Sequence, residues 1–436
     1  MRPDATAILT GLGVVAIAVL LVLIGLSGRG SPAPDQLLDT GTPIQTVPTT
    51  SPSVVPDETP PTDQPTTAPP QTVVEAVPVR TSDLYVSVSG IDREEGGWTP
   101  ADPLASPSYA ISLALPGDTI NILPGTYDRI VIDGKQQLTI RAPERGVTLT
   151  SGMYERFAGV LVENSSDIVV EGLAVTKSLW GIRVLASTRI SIQYNSVFDI
   201  GQEGIHVLGR STDVTIEGNR VDLTGQREGN NGVLEFADLG EGIYLGTGGR
   251  LADGTFDDVS NIRVIGNEIS NTSAEAIEIK ASVFDVVVRD NLVHDIDVHS
   301  GAAVSIGRGT RSYDANVIVE NNAIWNVTTR NQWKDGIGIR VSSPATVTAN
   351  VIWNVEHYGI KIDTELRSVD GAVDIRNNLI FDAGIEAFVN DATGNGVPIN
   401  AEGTIEDDDA EELLGQLNQI RSRISPQPLI DYLNGL

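Results

Sequence analysis

The stretch Gly181-Ile-Arg-Val184, followed by Ile190-Ser-Ile-Gln-Tyr-Asn195, contains the two halves of a motif that decides the fold. A small residue begins a short apolar–polar–apolar strand, and a second strand ends in Asn. Where no insertion intervenes, the small residue recurs every 22 or 23 positions, at Gly159, Gly181, Gly204, Gly336 and Gly359. Such a period is typical of a solenoid, in which one supersecondary unit is repeated along an axis.

Both halves of the motif recur along most of the chain. The strands that begin with a small residue are Gly181-Ile-Arg-Val, Gly204-Ile-His-Val, Gly242-Ile-Tyr-Leu, Ala276-Ile-Glu-Ile, Ala303-Val-Ser-Ile, Gly336-Ile-Gly-Ile and Gly359-Ile-Lys-Ile. The other strands end in Asn195, Asn219, Asn267, Asn291, Asn322, Asn350 and Asn378. Side chains alternate along a strand, so the two apolar residues of each unit should face the core and the residue between them should face outward.

The Asn residues are expected to form a ladder at a sharp inward bend, because Asn tolerates left-handed backbone and its amide can bond the same amide one rung away. A second polar column predicts another turn. It comprises Asp199, Asn271, Asp295, Asn326, Asn354 and Asp382.

The composition restricts the class of protein. The chain has 436 residues, no cysteine, 5% aromatic residues and a formal net charge of −29. The absence of cysteine excludes disulfides and thiol chemistry. The negative charge argues against a nucleic acid as partner. It is compatible with simple solvation, a saline or acidic setting, or cation binding.

The N-terminal residues predict a membrane anchor and a linker. Ala5–Ser27 carries no charge, and a helix of that length spans about 35 Å, enough to cross a bilayer. No small-x-small cleavage site follows, so residues 1–29 are interpreted as an uncleaved transmembrane helix. Residues 30–80 hold 12 of the 23 prolines and predict an extended, disordered linker. The expected location is the cell membrane, in single-pass form, with the folded domain extracellular.

The folded part divides into three segments. Residues 81–117 predict an N-terminal cap with a short helix near Ser108, and residues 118–395 hold the repeats. Residues 396–436 predict an acidic segment and a C-terminal capping helix. Two insertions, Gly225–Leu239 and Thr247–Ser260, flank the strand at Gly242 and are expected to line a binding face. With both ends capped, a monomer is expected.

The repeats, together with the opening Tyr85-Val-Ser-Val-Ser-Gly and Pro116-Gly-Asp-Thr, resemble the pectate-lyase-like superfamily over roughly residues 83–395. The resemblance implies an all-β fold, a single-stranded right-handed parallel β-helix solenoid with an N-terminal cap and a C-terminal helical cap. The sequence places a transmembrane helix and a disordered linker before it. The superfamily includes lyases, hydrolases, epimerases and non-catalytic surface proteins, so the fold alone leaves the activity open.

Chemistry is expected on the outward column of the strands that begin with a small residue. This column contains Arg183, His206, Tyr244, Glu278, Ser305, Gly338 and Lys361, with Lys280, Arg340 and Asp363 one strand step further. Glu203, Glu241, Glu275 and Asp335 come just before the small residue. The column is either a solvated face with chance ion pairs or a glycan-binding groove. In a groove, Lys280, Arg308, Tyr244 and His206 are candidates for catalysis, and Arg183, Glu241, Arg340 and Lys361 for substrate binding. His206 has a surface-ladder alternative.

The densest cluster is Glu275-Ala-Ile-Glu278-Ile-Lys280, with Arg308 past the next strand. Cleavage of a polyuronate by β-elimination needs a group that neutralises the uronate carboxylate and a base for the C5 proton. Calcium on carboxylates, or an Arg, meets the first need, and Lys meets the second if its pKa is lowered. Glu278 alone favours the charged ammonium, whereas a cation on Glu275 and Glu278 would cancel that effect.

This cluster resembles the chondroitinase B and alginate lyase group, in which paired glutamates for calcium precede a lysine base and an arginine follows on the next rung. The resemblance implies Ca²⁺ at Glu275 and Glu278, with Lys280 and Arg308 at the matching catalytic positions. The sequence therefore predicts a membrane-anchored extracellular polysaccharide lyase acting on an acidic glycan. The alternatives are a non-catalytic glycan-binding or structural surface solenoid and a uronate C5-epimerase. A hydrolase that uses Glu241 and Glu278 also stays open.

Overall fold

The computed structural model describes residues 80–152, 154, 157–227, 239–251, 253–299, 301–308, 316–330, 335–363, 372–392, 398–402 and 405–406. The predicted anchor, nearly all of the linker, most of the first insertion and the predicted C-terminal helix lie outside these residues. The described residues fall within one compact unit, Val74–Leu436. No helix among them has the length and apolar character needed to cross a membrane.

The described strands, numbered in chain order, form three parallel sheets. Sheet 1 contains β1 (Asp83–Val86), β2 (Thr119–Ile122), β5 (Gln136–Arg141), β8 (Ser166–Glu171), β11 (Thr188–Gln193), β14 (Thr212–Glu217), β17 (Val259–Ile265), β20 (Val283–Arg289), β23 (Val317–Glu320), β26 (Ala345–Thr348), β29 (Val373–Arg376) and β32 (Ile399–Glu402). Sheet 2 contains β3 (Gly125–Asp128), β6 (Val147–Thr150), β9 (Ala174–Thr176), β12 (Ser196–Phe198), β15 (Arg220–Asp222), β18 (Glu268–Ser270), β21 (Leu292–Val298), β24 (Ala323–Thr329), β27 (Val351–Val355), β30 (Leu379–Ala383) and β33 (Ile405–Glu406).

Sheet 3 contains β4 (Ile130–Asp133), β7 (Ala158–Glu163), β10 (Trp180–Leu185), β13 (Ile205–Leu208), β16 (Ile243–Leu245), β19 (Ile277–Lys280), β22 (Ala302–Arg308), β25 (Ile337–Val341), β28 (Tyr358–Ile362) and β31 (Glu386–Asn390). Each strand pairs in parallel with its equivalents one rung away, as β11 does with β8 and β14. The predicted all-β parallel β-helix is therefore confirmed.

The short helix expected near Ser108 is α1 (Pro107–Leu113). Ser106 caps it by accepting a hydrogen bond from the Tyr109 backbone N–H at 3.2 Å, and Pro107 provides the fixed φ that suits a first helical turn. The helix packs against β1, β2 and β4, the first strands of the stack. Its role as a cap stays a prediction.

The core is built by inward-facing aliphatic side chains from all three sheets. Ile182 and Val184 of sheet 3 and Ile192 of sheet 1 have no exposed surface, which confirms the predicted inward positions. The small residue before each sheet 3 unit has a steric cause. At Gly181 a Cβ would lie 2.3 Å from the Gly204 carbonyl oxygen and 2.4 Å from a Val197 methyl carbon, so a larger residue would separate the rungs.

The Asn ladder lies between sheets 1 and 2 and satisfies its own polar atoms. Asn219 Nδ2 donates to Asn267 Oδ1 at 3.0 Å, and the Asn219 backbone N–H donates to the same oxygen at 2.9 Å. The pattern repeats along all seven predicted ladder residues. The expected amide ladder is confirmed, because a buried amide needs such partners.

The left-handed backbone falls one residue before the ladder, contrary to expectation. Tyr194 and Asn321 both have φ near 56°, whereas the ladder Asn residues after them do not adopt positive φ. The ladder Asn is therefore selected for its hydrogen bonds. The second polar column is left-handed throughout, from Asp199 at 56° to Asp382 at 47°, as its turn role predicts.

Replacing Asn291 by Ala is expected to lower the free energy of unfolding by about 2–5 kcal/mol, because it orphans several buried partners. Asn291 accepts from the Asn267 amide at 3.0 Å and donates to Asn322 and to the Val264 carbonyl, each at 2.9 Å. The matched control is Asn326→Gly, at an exposed turn with φ 55°, where a change below about 1 kcal/mol is expected. Chemical denaturation of both variants measures the difference, and equal losses would contradict the ladder's stabilising role.

Candidate functional site

Strand register defines the outward column of sheet 3. The aligned residues are Leu161, Arg183, His206, Tyr244, Glu278, Ser305, Arg340 and Lys361. The predicted column is correct except at one rung. Arg340, not Gly338, pairs with Ser305, and Gly338 is the small residue opposite Ala303. The stretch from Gly336 to Val341 fits the motif in two registers two residues apart, and both keep the same residues inward.

These residues point outward and yet are largely buried. Exposure is 5% at His206, 1% at Glu278 and none at Ser305. The preceding row is buried too, with 5% exposure at Glu203, 3% at Glu241 and 1% at Glu275. The solvated-face interpretation is therefore wrong here. Several acids share a site with little water, where unpaired negative charge is costly.

Three of the carboxylates converge. Glu241, Glu275 and Glu278 each place one oxygen within 4.8 Å of the other two. The Gly242 backbone N–H donates to the Glu275 carbonyl oxygen at 3.0 Å, which stacks the Glu241 and Glu275 rungs. Glu241 Oε2 is buried and accepts no hydrogen bond from the described residues. The sequence paired only Glu275 with Glu278, and Glu241 joins them as a third carboxylate.

Burial and mutual repulsion control the ionisation of this cluster. Burial, and then the carboxylates of Glu278 and Glu203, raise the pKa of Glu241 well above its ordinary value. Burial and the neighbouring Glu275 raise the pKa of Glu278, and burial raises the pKa of Glu203 to about 7. The cluster therefore favours protons or a compensating cation. An all-oxygen donor set suits a hard cation such as Ca²⁺.

Lys280 and Tyr244 lie beside the carboxylates. Lys280 Nζ donates to Glu278 Oε1 and lies 5.1 Å from the centroid of the Tyr244 ring. A Cβ placed on Gly248 would lie 3.8 Å from the Tyr244 hydroxyl and 3.9 Å from Lys280 Nζ, so an amine and a phenol converge there. Burial, and then the Glu278 carboxylate, raise the pKa of Tyr244, which keeps its hydroxyl protonated.

His206 is buried against Tyr244 rather than forming a surface ladder. The two ring centroids are 4.6 Å apart, and the imidazole Nε2–H donates to the Gly246 carbonyl oxygen at 3.2 Å. Burial lowers the pKa of His206 to about 3, so the imidazole is neutral. These contacts suit a residue that positions the Tyr244 ring. They do not suit a base open to substrate.

The remaining predicted residues lie on neighbouring rungs. Arg340 lies 3.6 Å from an Asp363 oxygen, and Lys361 donates to Asp335 at 2.7 Å. Arg308 pairs with Lys280 across an irregularity in register, and its side chain lies outside the described part of the structure. Arg183 lies on the N-terminal side of Tyr244, with His206 between them.

The insertion Thr247–Ser260 lies beside the site, as expected. Arg210 Nη2 donates to Asp253 Oδ2 at 2.8 Å, and the Arg210 backbone N–H donates to Asp257 Oδ1 at 2.9 Å. These contacts fix the loop to the turn after β13. The same loop carries Gly248, so it forms one wall of the opening above Lys280.

The predicted structural role of Trp325 and Trp353 is supported by their geometry. Their ring centroids are 4.7 Å apart at an interplanar angle of 9° on the outer side of sheet 2, and His294 stacks on Trp325 at 4.4 Å. Each Trp325 face is thus occupied by another ring. This column packs on itself and is separate from the sheet 3 site.

The fold and register define a parallel β-helix with a buried acidic cluster on one sheet. A family model described as the right-handed β-helix region matches residues 158–330 and 256–410, and the chain belongs to this family. Comparison with curated proteins gives no match.

Solved structures agree in fold. The chain is 20% identical to an alginate lyase from Paenibacillus sp. str. FPU-7, covering 67% of this chain and 96% of that one at a TM-score of 0.51. It is 13% identical to the pectate lyase Pel9A, covering 76% of this chain and 80% of that one at 0.47. It is 13% identical to a GH136 lacto-N-biosidase from Eubacterium ramulus, covering 74% and 68% at 0.45.

Proposed function

We propose that this chain is a polysaccharide lyase that cleaves an acidic glycan, a polyuronate, by β-elimination on sheet 3. The observation that carries the proposal is the convergence of the Lys280 amine and the Tyr244 hydroxyl beside a buried cluster of three carboxylates. An amine and a protonated phenol at one opening provide a base and an acid. The alginate lyase in the comparison above shares the fold, which is compatible with this chemistry.

The proposed step balances with these two groups. The Lys280 amine takes the C5 proton of the uronate, and the C5–H electron pair forms the C4=C5 double bond. The C4–O bond breaks, and the Tyr244 hydroxyl gives its proton to the leaving oxygen. The raised pKa of Tyr244 suits this role, because the group holds its proton until the leaving oxygen takes it.

The residues present fit a divalent cation such as Ca²⁺. Glu241, Glu275 and Glu278 would hold it, because their oxygens converge and Glu241 Oε2 has no other partner among the described residues. When bound, the cation would supply positive charge that neutralises the uronate carboxylate and opposes the pull of Glu278 on the Lys280 proton. The neutral His206 ring packs on Tyr244 and keeps the phenol facing the opening.

Hydrolysis fits the geometry less well. Glycosidases separate their two catalytic carboxyl groups by about 5–10 Å, so that a sugar lies between them. Glu241 and Glu278 have oxygens within 4.8 Å of each other and are almost fully buried. This spacing suits a shared cation or a shared proton.

The proposal extends to location. The uncharged stretch Ala5–Ser27 and the proline-rich residues after it support a single-pass anchor with the β-helix outside the cell. Fractionation of cells should place the chain in membranes, extractable by detergent and resistant to alkaline carbonate. Release by carbonate would remove the anchor from the proposal.

The reaction is tested with the purified full chain and a panel of polyuronates and glycosaminoglycans, with calcium and with chelator. A calcium-dependent rise in ultraviolet absorbance from unsaturated ends is expected on at least one substrate. Epimerised sugars without unsaturated ends would select the C5-epimerase. Binding without either product would select a non-catalytic glycan-binding solenoid.

A further inference from the structure

Arg183 differs electrostatically from the other basic residues on sheet 3. Lys280 pairs with Glu278, Arg340 lies 3.6 Å from Asp363, and Lys361 lies 2.7 Å from Asp335. Arg183 makes no such ion pair with the described residues, and its buried Nε donates no hydrogen bond to them. A partly buried guanidinium in a chain of net charge −29 would ordinarily have a carboxylate partner.

The Arg183 side chain is held in place without such a partner. Its guanidinium carbon lies 4.4 Å from the centroid of the Trp180 ring, and the Trp180 side chain is hydrogen-bonded to Glu203. Stacking on an indole orients the planar guanidinium. The guanidinium is thus positioned while its hydrogen-bonding capacity is incompletely used.

The position of Arg183 relates it to the proposed reaction. Arg183 aligns with His206, and His206 aligns with Tyr244, so Arg183 lies two rungs, about 10 Å, from the phenol. That distance is too long for contact with the sugar that reacts at Tyr244. A neighbouring sugar of the same glycan chain would lie over Arg183.

We propose that Arg183 is a carboxylate-binding subsite for a uronate unit on the N-terminal side of the reacting sugar. The inference rests on the proposed function and adds a residue that determines specificity for charged glycans. Arginine can bind a carboxylate through two parallel hydrogen bonds, which gives both affinity and geometric selection. An esterified or neutral sugar would lose that interaction.

The test measures binding, so that cleavage is not needed. Titration calorimetry is done in calcium with Lys280→Ala and with Lys280→Ala plus Arg183→Gln, using oligogalacturonates or oligomannuronates of increasing length and a fully methyl-esterified oligogalacturonate. The added Arg183→Gln change should weaken binding of the longer acids by about 10–100-fold. It should leave the ester and the shortest binding acid unchanged, and Arg183→Lys should restore part of the affinity.

Arg189→Gln is the matched control, since Arg189 lies on sheet 1 in an exposed pair with Asp167. It should change none of these affinities, and all variants should keep the melting temperature of their parent. Equal loss for acid and ester, loss on the shortest acid, no loss on long acids, or no binding of any acid would each overturn the subsite. If acids bind with the expected pattern but wild type cleaves none, the subsite stands and the proposed lyase activity fails.

Discussion

Lys280→Ala is expected to lower kcat for polyuronate cleavage by about 10²–10⁴-fold, the usual contribution of a positioned base. The amine lies beside the Tyr244 ring and is only 14% exposed, so bulk water is a poor substitute for it. KM should change little, because the amine acts mainly in the transition state. The rate of formation of unsaturated ends measures the effect.

The control for this change is Lys177→Gln. Lys177 pairs with Asp199 at a sheet 2 turn and is half exposed, so its loss should leave kcat unchanged. Both proteins should melt at similar temperatures. A Lys280→Ala protein that retains activity within about threefold of wild type, when a positioned base is worth far more, would remove Lys280 from the mechanism.

Glu241→Gln is expected to have opposite effects with and without calcium. Without calcium it should raise the melting temperature, because it removes one of several buried carboxylates that repel one another. In wild type, calcium at 100 times its Kd should add about 2.7 kcal/mol of stability. Glu241→Gln should lose most of that gain, since ligand charge tunes calcium affinity.

Thermal melts with calcium and with chelator check this prediction. Glu217→Gln, on the outer side of sheet 1, is the control and should keep the full calcium response. An unchanged calcium response in Glu241→Gln would show that the ion binds elsewhere. No response in wild type would remove the cation from the proposal.

The solenoid could be predicted because each rung repeats the same local physics. Inward aliphatic residues such as Ile182 and Val184, the steric need for Gly181 and the self-satisfying Asn ladder each leave a periodic trace. The error at Gly338 shows the limit of this signal. Alternation has a period of two, so a shift of two residues keeps every apolar side chain inward.

The carboxylate cluster could be predicted only in part. Glu275 and Glu278 lie three residues apart in the chain, whereas Glu241 is brought to them by rung stacking across the loop Thr247–Ser260. The signal was that Glu241 and Glu275 both precede a small residue. Burial of outward residues such as Glu278 and His206 left no trace, because alternation gives the direction of a side chain but not what covers it.

The most direct test is a crystal structure of the Lys280→Ala chain with calcium and a uronate oligosaccharide that wild type cleaves. The account predicts the sugar chain along sheet 3, with a glycosidic oxygen at the Tyr244 hydroxyl and the uronate carboxylate facing Glu241, Glu275 and Glu278. An oligosaccharide bound to sheet 1 or sheet 2, or one on sheet 3 whose scissile bond lies away from Tyr244, would contradict it.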